Sequence, residues 1–171
     1  MTSRRQLILM RHATAEIGRG LDRDRRLTAG GRNQAHRVGH RLRELDLVPE
    51  RVVCSTALRC RETWAAVAAA LDRSVVVDFE EELYNASPER IGQVLAGLDD
   101  ADDATRVLLI AHNPGISLFA LQLARGDASA EAELRNGFSP ATWAGFGFDG
   151  AWSQLAARKR ILVHTEGPPG D

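Results

Sequence analysis

Short apolar runs alternate with helical stripes over the first 125 residues, and this alternation restricts the possible folds more than any other feature of the chain. Residues 6–10 (QLILM), 51–55 (RVVCS), 74–79 (SVVVDF) and 106–111 (RVLLIA) have the length and β-branched content of buried strands. Between them, apolar residues recur at helical spacing. Ala35, Val38, Leu42 and Leu45 share one face, as do Trp64, Val67, Ala68 and Leu71, then Ile91, Val94, Leu95 and Leu98, then Ile116, Phe119, Ala120 and Leu123. Pro49 ends the first stripe, and Ser87-Pro88 supplies a cap and a first-turn proline for the third. Such alternation predicts an α/β fold, with helices on both faces of a mainly parallel sheet. After residue 136 the pattern changes. Residues 142–148 and 152–156 flank Asp149-Gly150, which predicts an antiparallel pair and so a mixed sheet. The chain of 171 residues fits one domain, expected over residues 1–164, with 165–171 (TEGPPGD) as a flexible tail.

Composition removes several functional classes. With 44% hydrophobic and 26% charged residues the chain is not disordered. The apolar run at 7–10 is too short for a signal-peptide core or a membrane span, so a soluble, cytoplasmic protein is expected. A net charge of −1 argues against a general nucleic-acid binder. Charge is nevertheless uneven: residues 19–43 carry eight arginines against Asp22 and Asp24, whereas residues 78–103 carry nine acids against Arg90. These segments read as solvated faces or, for the basic one, as a rim attracting an anionic substrate. Cys54 and Cys60 form no C-x-x-C pair and are expected to be reduced. His36 and His40 have the i, i+4 spacing of a metal-chelating pair, but lack the following glutamate and sit beside Arg37 and Arg41, so a surface pair is expected. The three tryptophans read as core. Neither a G-x-x-x-x-G-K-[ST] nor a G-x-G-x-x-G pattern occurs.

In open α/β sheets ligands bind beyond the carboxyl ends of the strands. Three chemistry-bearing segments fall there: Arg11-His12, residues 55–63, and His112-Asn113. A histidine at a strand mouth is suited to nucleophilic attack, because neutral imidazole has a free nitrogen lone pair near pH 7. Attack on phosphorus needs cations around the phosphoryl oxygens, and arginine is the fitting clamp. Arg11 and Arg59 are the candidates, with His112 as a further donor once protonated beside the phosphate.

Leu9-Met10-Arg11-His12-Ala13 resembles the L-x-R-H-G signature of the histidine phosphatase (phosphoglycerate-mutase-like) superfamily. Residues 55–63 (STALRCRET) are similar to its S-x-x-x-R-x-x-x-T stretch, and Ala111-His112-Asn113-Pro114 resembles its second-histidine segment. The small size, the Arg25-Arg26-Leu27-Thr28 stretch and the A-H-N-P form look most like SixA-type phosphohistidine phosphatases. The resemblance implies a three-layer α/β/α sandwich and no metal or other cofactor. It further implies that His12 is the nucleophile, with Arg11, Arg59 and His112 around the phosphate. Arg25 would add a contact, Asn113 would orient His112 or touch the phosphate, and Glu82 is the candidate general acid. Ala13 departs from the usual glycine and therefore requires an ordinary backbone angle. The implied substrate is a phosphohistidine-bearing protein. A small phosphate ester turned over by the same fold, and a phosphate-binding module without catalysis, are the alternatives.

Overall fold

A computed structural model describes residues 4–18, 20–98 and 104–168. Arg19 and the acids Asp99, Asp100, Asp102 and Asp103, counted in the two charged segments, lie outside the described residues. Strands β1 (Arg4–Arg11), β2 (Arg51–Ser55), β3 (Val76–Glu80), β4 (Arg106–Ala111), β5 (Trp143–Asp149) and β6 (Arg160–Glu166) form one sheet in the order β3-β2-β4-β1-β5-β6. The first four strands in that order are parallel, while β5 runs antiparallel to both β1 and β6. The sheet is mixed, as expected.

Strand alternation sends successive side chains to opposite faces, and each face carries its own core. Ile8, Met10, Val52, Cys54, Leu108 and Ile110 pack against helices α1 (Ala29–Glu44) and α2 (Leu58–Leu71). Leu7, Leu9, Val53, Val107 and Leu109 pack against α3 (Pro88–Ala96), α4 (Gly115–Ala124) and α5 (Ala128–Leu134). The three layers are those of a phosphoglycerate-mutase-like fold. Trp64, Trp143 and Trp152 are buried, as are the free thiols of Cys54 and Cys60. Burial drives the Cys60 thiol up to about 12 and raises that of Cys54 as well.

Two local signals set where the helices begin. The Thr28 hydroxyl accepts from the Gly31 amide at 2.9 Å and caps α1, and Ser87 caps α3 ahead of Pro88. Glycine then permits close packing: a Cβ on Gly31 would lie 2.0 Å from the Thr14 carbonyl oxygen, and one on Gly115 would lie 1.9 Å from that of Ala86. No residue with a side chain fits either place without backbone movement.

Two expectations need correction. The strand that pairs with β5 is residues 160–166; residues 152–154 form instead a single 3₁₀ turn that buries Trp152. Trp152 is held there by packing with Phe148, at 5.3 Å between ring centroids. The expected tail also begins too early, because Thr165 and Glu166 complete β6 opposite Ala144 and Trp143; residues 169–171 lie outside the described residues. Helix α5, capped by Asp127, was not anticipated. His36 and His40 are an exposed ring pair on α1, with centroids 4.7 Å apart. No cluster of metal-ligating side chains occurs among the described residues, and no described helix is long and apolar enough to cross a membrane.

Candidate active site

Strands β2, β4 and β1 are neighbours in the sheet, so their carboxyl ends bring Ser55, His112 and His12 together from distant parts of the chain. The rings of His12 and His112 stand 5.4 Å apart. Arg59, in the first turn of α2 and only 3% exposed, reaches between them. Its Nε donates to His12 Nε2 at 3.2 Å, and its Nη2 lies 3.1 Å from His112 Nδ1.

This guanidinium settles the state of both rings. An arginine can only donate, so His12 Nε2 and His112 Nδ1 present lone pairs to it. The opposite nitrogens then carry the protons. His12 Nδ1–H donates to the Ala13 carbonyl at 2.8 Å, and His112 Nε2–H donates to Ser55 Oγ at 2.8 Å. Both imidazoles are held neutral. Burial is the main cause for His12, reinforced by Arg59, Arg11 and Arg25, and together they pull it down to about 4 against the opposing effect of the Ala13 carbonyl. His112 is pulled down to about 3 by burial, then by Arg59 and by His12.

Arg11 completes the cluster. Its Nη1 donates to the Phe138 carbonyl at 2.8 Å, while its buried Nε has no hydrogen-bond partner among the described residues. Burial, and then Arg59, lower its pKa. Two guanidiniums and two imidazoles thus share a small volume, which is a site short of negative charge.

Among the described residues the carboxylate that reaches the cluster is Asp22, in a 3₁₀ turn at residues 22–24. Its Oδ2 accepts from Arg59 Nη2 at 3.0 Å and from the Tyr84 hydroxyl at 2.8 Å; its Oδ1 accepts from Arg25 Nη1 at 3.1 Å, and its backbone carbonyl from Arg59 Nη1 at 2.7 Å. The Tyr84 hydroxyl, then Arg25 and Arg59, hold this carboxyl down to about 2. The Tyr84 ring meets His112 edge-on at 5.6 Å.

The structure therefore gathers His12, Arg11, Arg59 and His112, with Arg25 at the rim, where its Nε is also bound to the Glu16 carbonyl at 2.7 Å. Asn113 and Glu82 make other contacts. Asn113 does not orient His112: its amide donates to the Phe138 carbonyl and accepts from Ser117, whereas Ser55 is the group on the His112 ring. Glu82 is exposed and pairs with Arg90 at 3.7 Å, and Asp22 is the carboxylate bonded to Arg59. Ala13 lies fully buried with an ordinary angle, since the non-glycine residues with positive φ among those described are Asp46, Asp72, Asn85 and Ala141. Its amide donates to Thr63 Oγ1 at 3.0 Å, which ties the His12-bearing loop to α2.

A mixed sheet with a basic, two-imidazole cradle at the carboxyl ends of its parallel strands is suited to hold a phosphoryl group. The model of the histidine phosphatase superfamily (branch 1) matches residues 7–87. The chain is 33% identical to a structure from Nakamurella multipartitia provisionally designated phosphohistidine phosphatase SixA, with a TM-score of 0.88 and 98% of each chain covered. A similarly designated structure from Agrobacterium tumefaciens is 25% identical, with a TM-score of 0.80 and coverage of 96% of this chain and 98% of that one. An uncharacterised protein of Mycobacterium leprae is 32% identical over 90% of this chain and 96% of its own length. The chain belongs to the histidine phosphatase superfamily, and phosphatase chemistry is the activity class that this membership supports.

Proposed function

We propose that the chain is a metal-independent cytoplasmic phosphatase that removes phosphate from phosphohistidine on a protein, through a phosphohistidine intermediate on His12. The observation carrying this reading is the state of His12: neutral, protonated at Nδ1 by its bond to the Ala13 carbonyl, with the Nε2 lone pair facing the cradle. That nitrogen attacks phosphorus while Arg11 and Arg59 take the phosphoryl oxygens. The negative charge of an arriving phosphate dianion opposes the lowering of the His112 pKa by burial and Arg59, so that His112 takes up a proton and donates as well. The P–N or P–O bond to the leaving group breaks, and water then hydrolyses the phosphoenzyme, releasing inorganic phosphate. Charge stabilisation by donors already in place provides most of the acceleration in such sites.

The alternative of a small-ester phosphatase needs an acid that protonates an alkoxide, and the pairing of Glu82 with Arg90 lends that role little support. The deciding experiment incubates the protein with a phosphohistidine-bearing carrier protein and with small phosphate esters. Release of phosphate from the carrier, with acid-labile label on His12 that disappears in His12→Ala, is expected. A strong preference for esters overturns the protein substrate. Phosphate affinity without any phosphoenzyme leaves only a binding module.

A further inference from the structure

The mechanism above leaves Asp22 and Tyr84 unused, although both touch its central arginine or the carboxylate bound to it. Arg59 bridges two environments: its Nε faces the buried His12 and its Nη2 also meets His112, while Nη1 and Nη2 both bond Asp22. The Asp22 side chain is 48% exposed against 4% for Arg59. It therefore lies on the solvent side of Arg59, away from the buried His12, and a group that leaves in line with attack by His12 departs toward solvent.

The geometry points to Asp22 as a specificity-determining residue that selects substrates whose phosphate is carried on a ring nitrogen. This rests on the phosphatase reading above and adds the leaving group to it. Asp22 is fixed from three directions, by Arg59, Arg25 and Tyr84, yet among the described residues its Oδ1 carries only the bond to Arg25. A carboxylate oxygen has capacity for another donor.

A phosphorylated imidazole protonated at its distal nitrogen is such a donor, and a cationic one. The distal N–H donates to Asp22, which favours the protonated ring. His12 Nε2 then bonds to phosphorus, the P–N bond breaks, and its electron pair returns to the ring nitrogen. The ring leaves as neutral imidazole with its distal N–H in place, so no proton is delivered to the breaking bond. An alcohol leaving group makes a different demand, since its oxygen must gain a proton as the P–O bond breaks. The ionised Asp22 carboxyl has none to give, and its charge opposes a developing alkoxide. Tyr84 holds the carboxylate in position through its hydroxyl and walls the mouth with its ring.

The test measures kcat/KM of the wild type, Asp22→Asn and Tyr84→Phe on phosphoimidazole and on p-nitrophenyl phosphate, an aryl ester whose leaving group carries no cation. The ratio of the two rates is the readout. Loss of a charge-assisted hydrogen bond predicts a phosphoimidazole-to-ester ratio lowered about tenfold in Asp22→Asn, and lowered in the same direction, to a smaller extent, in Tyr84→Phe. If both substrates slow together, so that the ratio shifts by less than about threefold, Asp22 merely positions Arg59 and the inference falls. A wild type inactive on phosphoimidazole but active on the ester overturns this inference and the phosphohistidine reading together. Activity of the wild type on phosphoimidazole with an unshifted ratio in Asp22→Asn overturns the inference alone.

Discussion

Arg59→Lys separates charge from shape at the centre of the site. The native guanidinium is nearly fully buried and makes four hydrogen bonds: to His12 Nε2, to His112 Nδ1, to the Asp22 carbonyl and to the Asp22 carboxylate. Lysine keeps the positive charge but offers one compact ammonium, which cannot span acceptors on three residues. In the proposed mechanism the nitrogens facing the two imidazoles become the donors to phosphoryl oxygen in the transition state. Loss of one such preorganised donor lowers kcat by about 10²–10³. The expected result is a loss of that size in single-turnover phosphate release. A second measurement identifies the cause. Arg59 is among the groups that depress both imidazoles, so NMR titration should show them rising in Arg59→Ala and staying low in Arg59→Lys. A lysine variant within tenfold of wild type, or imidazoles unmoved by Arg59→Ala, refutes the clamp.

Four further outcomes follow from the same geometry. Ser55→Ala leaves the buried His112 Nε2–H without its partner; a destabilisation of roughly 1–3 kcal/mol in urea unfolding is expected, and an unchanged midpoint contradicts the assigned ring state. Stability should fall as pH drops from 6.5 toward about 4, because His12 and His112 are held neutral in the fold while the unfolded chain takes up protons first; each contributes at most about 1.4 kcal/mol per pH unit, and denaturation series at pH 7, 6 and 5 read the slope, a flat series counting against it. Gly115→Ala drives a methyl into the Ala86 carbonyl and should be destabilised by about 1–3 kcal/mol, whereas Gly92→Ala, with 3.4 Å to the Phe119 ring, should be no less stable than wild type; equal thermal midpoints for the two contradict this packing. Phosphate release should be unchanged in excess chelator, and a rate restored only by added divalent cation defeats the arginine-only cradle.

The parallel half of the sheet and the four main cradle residues were legible because both depend on local pattern. Apolar runs end in Arg11-His12, Ser55 and His112, and a strand end is where a parallel sheet places its ligand. What was not legible depends on contacts between distant segments. Asp22 counted only as an acid among eight arginines, and its importance appears when Arg59, 37 positions away, and Tyr84, 62 positions away, close on it. Ser55 was visible in its motif, but its place on the His112 ring was not. Strand β6 was missed because an edge strand need not alternate cleanly: Ile161 and Val163 face outward, half exposed. The segment 152–156, just after Asp149-Gly150, looked more strand-like, yet Trp152 is held in place by its contact with Phe148.

Strand β1 is translated before the other five strands but lies between β4 and β5, so Leu7 pairs with Val107 on one side and Phe146 on the other. Its terminal histidine has no fixed surroundings until segments made 100 and more residues later have emerged from the ribosome and docked. Fragments of a nascent chain therefore cannot display the assembled chemistry, and recovery of turnover during refolding reports completion of the whole sheet instead of any early, local event.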